Sequence, residues 1–127
     1  MRTLLLTTAA LAALGAAAAA QDAPASAGEV KIGIILGFTG PLESITPNMA
    51  TAAELAIAEV SEAGSFMGGM TVTPVRADST CVDAAAATAA AEGLVAEGVS
   101  AFMGADCSGV TIAVLNNVAL PNGVPMI

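Results

Sequence analysis

The chain has 127 residues, 11 acidic and three basic, with no histidine, so its formal net charge is −8. This acidic balance disfavours nucleic acid and anionic membranes as partners. The lack of histidine excludes Ser–His and Cys–His nucleophile pairs and histidine-containing metal sites.

Residues 1–20 have the pattern of a secretory signal peptide. Arg2 supplies a short positive region, an apolar run extends to Leu14, and Ala18-Ala19-Ala20 is a small-residue cleavage site. The alternative, a retained membrane anchor, fits the Ala-rich and weakly hydrophobic run less well. We therefore expect export, no stable membrane insertion after cleavage, and a polar linker at residues 21–28.

Strand and helix patterns alternate from residue 29 onward. The apolar, β-branched run Val30–Leu36 predicts a buried first strand. Thr46 followed by Pro47 predicts a helix N-cap with proline at the first helical position, and Gly64 is expected to end that helix. Its predicted inward face consists of Met49, Ala52, Ala53, Ala56, Ile57 and Val60, with Glu59 and Glu62 on the solvent side.

The second half of the chain repeats this alternation. A strand is predicted at 71–75, and its Pro74 favours an edge position or a bulge. Asp83 is expected to open a second helix that Gly98 stops, and a strand at 99–104 leads to a third helix from Ser108. The predicted inward face of the second helix consists of Ala84, Ala87, Thr88, Ala91, Leu94 and Val95. Residues 124–127 resemble the start of a fourth strand, so we expect an N-terminal fragment cut inside an apolar run.

This order predicts an α/β fold with a parallel sheet and right-handed crossovers. Ligands of such sheets bind outside the carboxyl ends of the strands, where loops 37–46, 78–82 and 104–108 are expected to meet. At Ser108 a strand turns into a helix, and the free N–H groups there favour a carboxylate or phosphate. The alternative is that Ser108 only caps its helix.

An enzyme is not expected. Gly33, Gly37 and Gly40 lack the G-x-G-x-x-G spacing of a dinucleotide-binding loop, and two cysteines alone make a poor metal site. We therefore predict no catalytic residues, no metal and no cofactor.

Several segments resemble one family. They are Val30–Ile34, Thr39–Leu42, Ala53–Ala56, Glu62–Gly64, Phe66–Gly69, Asp78 with Cys81 and Asp83, Met103-Gly104 with Cys107-Ser108, and Gly123–Ile127. In order and spacing they resemble the periplasmic amino-acid-binding proteins of the leucine/isoleucine/valine type, over nearly all of residues 30–127. The resemblance implies a type I periplasmic-binding-protein fold with two hinged lobes and helices on both faces of each sheet. Residues 29–127 would then be an incomplete first lobe.

The resemblance also implies a function. Proteins of this family are soluble periplasmic receptors that deliver an amino acid or related amide to an ABC transporter permease. The alternative is the same fold used as the ligand-binding ectodomain of an extracytoplasmic sensor.

Five residues are predicted to contact the ligand. The resemblance gives Ser108 a hydrogen bond to the ligand's α-carboxylate, and makes Asp106 and Cys107 pocket-lining residues. Ile45 matches a position where some relatives carry an aromatic residue, so it keeps an apolar wall without ring stacking; Thr39 completes the set. Asp106 either favours a more polar or cationic ligand or points to solvent.

A disulfide between Cys81 and Cys107 is predicted. Export favours it, both residues follow predicted strands at one sheet edge, and the resemblance places a bridge there. The alternative is two free buried thiols.

Overall fold

The computed structural model describes residues 28–127. The predicted signal peptide and residues 21–27 of the predicted linker lie outside this range. Within it, no helix combines the length and apolar character needed to cross a membrane.

A parallel sheet forms the centre of the fold. Its strands are β1 (Glu29–Leu36), β2 (Thr71–Asp78) and β3 (Val99–Gly104), in the order β2-β1-β3. The predicted strand at 71–75 is thus three residues longer. β2 lies at an edge of the described sheet, which confirms the edge position suggested by Pro74.

The end of the chain adds to the opposite edge. The N–H of Phe102 donates to the carbonyl of Pro125 at 2.8 Å, and the N–H of Ile127 donates back to Phe102 at 3.1 Å. The bridge between Phe102 and Met126 is parallel. The predicted start of a fourth strand is therefore confirmed.

Three helices connect and cover the strands. They are α1 (Thr46–Glu62), α2 (Ala84–Ala96) and α3 (Ser108–Val114), and α3 continues through a π-helical turn at Leu115–Ala119 into a last turn at Leu120–Asn122. A short 3-10 turn at Phe66–Gly68 precedes β2. As predicted, Asp83 caps α2, because its carboxylate accepts the N–H groups of Ala85 at 2.9 Å and Ala86 at 3.0 Å.

The helices lie on both faces of the sheet, as predicted. On one face Ile35 and Phe102 pack with buried residues of α2 and α3, including Ala87, Ala91 and Val114. On the other face, α1 covers a smaller cluster that consists of Ile34, Leu36 and Ala50, with Phe38, Ala53, Ile57 and Met103 packed against it. The small alanines bring the helices close to the strands.

The predicted inward face of α1 is wrong in part. Met49 and Val60 are 44% and 43% exposed, and Ala52 and Ala56 are exposed too, whereas Thr46 and Ala50 are fully buried. The physical reason is a hydrogen bond. The Thr46 hydroxyl donates to the carbonyl of Gly37 at 2.8 Å, and this contact holds a polar residue inward. A pattern built from apolar residues leaves out threonine and therefore does not predict that Thr46 faces inward. Ala84, also predicted to face inward, is exposed in the first turn of α2.

Thr46 is also not the N-cap of α1. Ile45 holds that position without a side-chain hydrogen bond, and the helix itself begins at Thr46, with the predicted proline in its first turn. The Thr46 hydroxyl is instead used by the loop before the helix, since it also contacts the carbonyl of Leu42 at 3.2 Å.

Candidate functional site

Three loops meet at the carboxyl edge of the sheet, as predicted from the sequence. They are residues 37–45 after β1, 79–83 after β2 and 105–107 after β3. Hydrogen bonds join the first loop to Asp78 at the end of β2 and to the third loop, and a disulfide joins the second loop to the third. This edge is the candidate functional site.

Asp78, the last residue of β2, is the centre of the hydrogen-bond network. Its Oδ1 accepts the N–H groups of Phe38 at 2.9 Å, Thr80 at 2.8 Å and Thr39 at 3.3 Å. Its Oδ2 accepts the hydroxyl of Thr39 at 2.6 Å. One carboxylate thus holds the first loop against the second.

The environment of Asp78 lowers its pKa. Burial acts most strongly and raises the pKa, but the Thr39 hydroxyl and the N–H groups of Thr80, Thr39 and Phe38 together outweigh it. These donors favour the charged carboxylate, so the pKa of Asp78 lies below its ordinary value. Asp78 is therefore an internal acceptor in its ionised form.

Asp106 makes a second link between the loops. Its Oδ2 accepts the N–H of Gly37 at 2.9 Å, and its Oδ1 accepts the hydroxyl of the fully buried Ser79 at 3.3 Å. Both oxygens therefore have partners within the protein. The sequence suggested a polar pocket wall or a solvent-facing carboxylate and missed this structural contact.

Gly37 is fixed on both sides. Its N–H donates to Asp106, and its carbonyl accepts the buried hydroxyl of Thr46. A Cβ at this position would lie 3.1 Å from the Cβ of Cys81 and 3.3 Å from its backbone nitrogen. The absence of a side chain at Gly37 is what lets β1 approach the disulfide this closely.

The predicted disulfide between Cys81 and Cys107 is confirmed. The two Cα atoms are 5.2 Å apart and the residues are separated by 26 positions. The bridge ties the second loop to the residue directly before α3. Both cysteine side chains are therefore committed to the scaffold.

Ser108 does not cap α3, so the structure does not support the alternative in which it only caps its helix. The N-cap is Cys107, which makes no side-chain hydrogen bond, and Ser108 is the first helical residue. Ser108 and Gly109 are exposed. The hydroxyl of Ser108 is thus not used to hold its helix, and the first N–H groups of α3 have no side-chain cap at this edge.

The predicted ligand residues fall into two groups. Thr39, Ile45 and Ser108 are exposed on the edge, Ile45 to 53%. Asp106 and Cys107 are half-buried and take part in the links between loops. Sequence reasoning interpreted Thr46 only as a helix cap and missed its contact with Gly37. It missed Ser79 altogether, whose only signal was a hydroxyl directly after a strand. Among residues 28–127 there is no group of three or more histidine, cysteine or acidic side chains able to hold a metal ion.

Comparison with known proteins gives one family. Residues 29–127 match the sequence model of a family described as periplasmic binding protein. No curated protein sequence matches the chain.

Solved structures share this fold. The branched-chain amino acid transporter substrate-binding protein LivJ from Streptococcus pneumoniae, in complex with isoleucine, has 31% identity and a TM-score of 0.69 over 77% of this chain and 28% of its own. An ABC-type branched-chain amino acid transporter protein from Rhodopseudomonas palustris has 25% identity and a TM-score of 0.63 over 76% and 26%. A solute-binding protein from R. palustris, in complex with benzoate, has 25% identity and a TM-score of 0.61 over 78% and 26%. The chain thus spans between 26% and 28% of the length of these proteins.

Removing the disulfide should destabilise the chain. Closing a loop of 26 residues contributes about 3.5 kcal/mol in the chain-entropy description. We expect the free energy of unfolding of the double variant Cys81→Ala/Cys107→Ala, measured in urea, to fall by most of this amount. Reductant should lower the stability of the wild type and leave the double variant unchanged. Two alkylated thiols in unreduced protein would contradict the bridge.

Asp78→Asn should change how stability depends on pH. Because the folded pKa is lowered, ionised Asp78 adds stability above its unfolded pKa of about 3.9, and that stability is lost as the pH falls through the folded value. We expect Asp78→Asn to be less stable at pH 7 and to lose less stability on acidification, measured by urea unfolding from about pH 7 to about pH 2.

Glu59→Gln, on the exposed side of α1, controls for the loss of one negative charge. An acid dependence in Asp78→Asn equal to that of the wild type would show that this carboxylate does not hold the edge.

Proposed function

Because the chain belongs to the periplasmic binding protein family, we propose that it forms part of the first lobe of an extracytoplasmic solute-binding protein. The lobe carries one half of a ligand site, and a second lobe closes over the bound solute. The match over residues 29–127 supports this assignment, as does the α/β architecture with its loops gathered at one edge. The protein binds its solute without catalytic turnover.

The start of α3 carries the proposal. The Ser108 hydroxyl and the first N–H groups of the helix present hydrogen-bond donors on an exposed edge, and no side-chain cap occupies them. Donors at a helix start favour an anion, and the helix dipole adds to this preference. The ligand group that binds here is a carboxylate.

The neighbouring acidic residues do not take this role. Asp78 and Asp106 accept hydrogen bonds from loop donors with both oxygens, so they are used to build the edge. Asp106 lines the site as a structural residue, since it contacts Gly37 and Ser79. Cys107 lines it through the disulfide.

The solute is an amino acid or related amide with an apolar side chain. One relative holds isoleucine and another holds benzoate, and both molecules join a carboxylate to an apolar group. On this chain, Ser108 receives the carboxylate, exposed Ile45 supplies an apolar wall and Thr39 a polar rim. This division of the edge matches that ligand chemistry.

The protein delivers its solute to an ABC transporter permease from the periplasm. Two of the similar structures are described as transporter proteins for branched-chain amino acids, which supports this partner. The signal-peptide pattern at residues 1–20 supports export.

The carboxylate and the second lobe should both be required for binding. By calorimetry on the complete two-lobed protein, we expect isoleucine or benzoate to bind and the matched alcohols, isoleucinol and benzyl alcohol, to fail. Residues 21–127 alone should bind neither acid tightly, because one lobe supplies only half of the contacts. Micromolar binding to residues 21–127 alone would contradict the two-lobe proposal.

Ser108→Ala should weaken ligand binding with little effect on stability. A lost hydrogen bond to a charged carboxylate raises the Kd by roughly tenfold to a hundredfold. The melting temperature without ligand should stay unchanged, because the Ser108 hydroxyl does not cap α3. Calorimetry on the two-lobed protein gives the first quantity and thermal unfolding the second.

Ser100→Ala is the matched control, since Ser100 is exposed near the opposite end of β3. If Ser108→Ala lowers the melting temperature while the Kd stays within about twofold, Ser108 is structural and the proposed contact is wrong.

A further inference from the structure

Arg76 on β2 is placed between α1 and the first loop. Its Nε and Nη2 donate to the two carboxylate oxygens of Glu54 at 2.5 and 2.7 Å, and Nη2 lies 3.4 Å from the Thr51 hydroxyl. Its Cζ lies 5.4 Å from the centre of the Phe38 ring. The guanidinium thus joins a helix, a strand and an aromatic ring of the candidate site.

Phe38 is the part of the first loop that reaches toward the core. Its ring packs against the cluster of Ile34, Leu36 and Ala50, and its N–H donates to Asp78. The adjacent Thr39 contacts Asp78 through both its N–H and its hydroxyl. A change in the position of the ring therefore changes how Thr39 is presented.

We propose that Arg76 is a positioning residue of the ligand edge, which acts by holding the Phe38 ring and through it residues 37–45. This inference rests on the proposed function and adds a residue that contacts no ligand. A planar guanidinium can donate to the two carboxylate oxygens of Glu54 and cover a ring at the same time, which an ammonium cannot do. The loop it holds carries two predicted ligand residues, Thr39 and Ile45.

The contact with the Phe38 ring carries this role, because Phe38 belongs to the first loop and Glu54 belongs to α1. Both partners of the ion pair are partly exposed, with side-chain exposures of 39% and 30%, so solvent screens the pair although its geometry is bidentate. Because Arg76 is exposed and Phe38 is half-buried, we expect the cation over this ring to shift an equilibrium by about twofold to fivefold. The two contributions can be separated by substitution.

A double-mutant cycle tests the coupling without any ligand. The variants are Arg76→Met, Phe38→Leu and their combination, and the readout is amide hydrogen exchange at residues 38 and 39 of the full chain. We expect Arg76→Met to speed exchange there by about twofold to fivefold, and to have no further effect when Phe38→Leu is present. Arg76→Lys, which keeps a cation, should recover part of the protection.

Two further controls sharpen the result. The amides of Ala85 and Ala86 also donate to a carboxylate, that of Asp83, and should be unaffected. Glu54→Gln removes the ion pair and leaves the cation, so it should speed exchange at residues 38 and 39 less than Arg76→Met. Equal effects of Arg76→Met with and without Phe38→Leu, or equal acceleration at Ala85 and Ala86, would overturn the inference.

Ligand affinity completes the test. On the two-lobed protein, Arg76→Met should raise the Kd for isoleucine, or for benzoate if only that acid binds, by about twofold to fivefold. A Kd equal to that of the wild type would show that Arg76 does not position the ligand edge. If the wild type binds neither acid, the proposed function fails, and the exchange cycle still decides whether Arg76 acts through Phe38.

Discussion

The candidate edge depends on one ionised carboxylate, that of Asp78. Three N–H groups and one hydroxyl converge on it from two loops that are far apart in sequence. Loop backbone at a sheet edge has no ladder partner, and unpaired polar groups are costly when buried. A single acceptor with two oxygens meets this demand for several donors at once. Because Asp78 is the last residue of β2 and binds Phe38 and Thr39, the end of this strand fixes the position of the first loop.

The other links extend this arrangement to β3. Asp106 accepts from Gly37 and Ser79, Thr46 donates to the carbonyl of Gly37, and the disulfide joins Cys81 to Cys107. The three strand ends are therefore joined by charged, neutral and covalent contacts. Binding edges that are ordered before the ligand arrives lose less entropy on association. The exposed residues of the edge are thus carried on a rigid base.

Local patterns predicted the elements of this fold, and long-range contacts decided the details. Apolar, β-branched runs such as Val30–Leu36 indicated the strands, and Asp83 indicated the start of α2, because these features depend on a few neighbouring residues. The inward face of α1 was missed because Thr46 is held inward by Gly37, nine residues away. The start of α3 at Ser108 was predicted correctly, but the pattern left open whether Ser108 caps the helix, and the backbone places Cys107 at the N-cap.

The candidate site was predictable in its place and less so in its contacts. Topology alone brings the loops after parallel strands to one edge, and family resemblance gave the cysteine bridge. The partners of Asp106 were not predictable, since Gly37 lies 69 positions away and nothing local marks it. The contact of the Arg76 guanidinium with the Phe38 ring was not predictable for the same reason, because the two residues are distant in sequence. A single sequence does not show which distant residues are in contact.

Gly37 has a consequence for how such an edge can diversify. A side chain there would press on Cys81 and on Asp106 Oδ2, which would lie 3.4 Å from its Cβ. A substitution at Gly37 therefore disturbs the disulfide together with the two hydrogen bonds of the Gly37 backbone, with Asp106 and with Thr46. The exposed positions 45 and 108 carry no such constraint, because neither side chain takes part in the links between the loops, whereas the Thr39 hydroxyl donates to Asp78. Substitutions at these two positions can therefore change the exposed surface of the edge one at a time, while the framework beneath them is inherited unchanged.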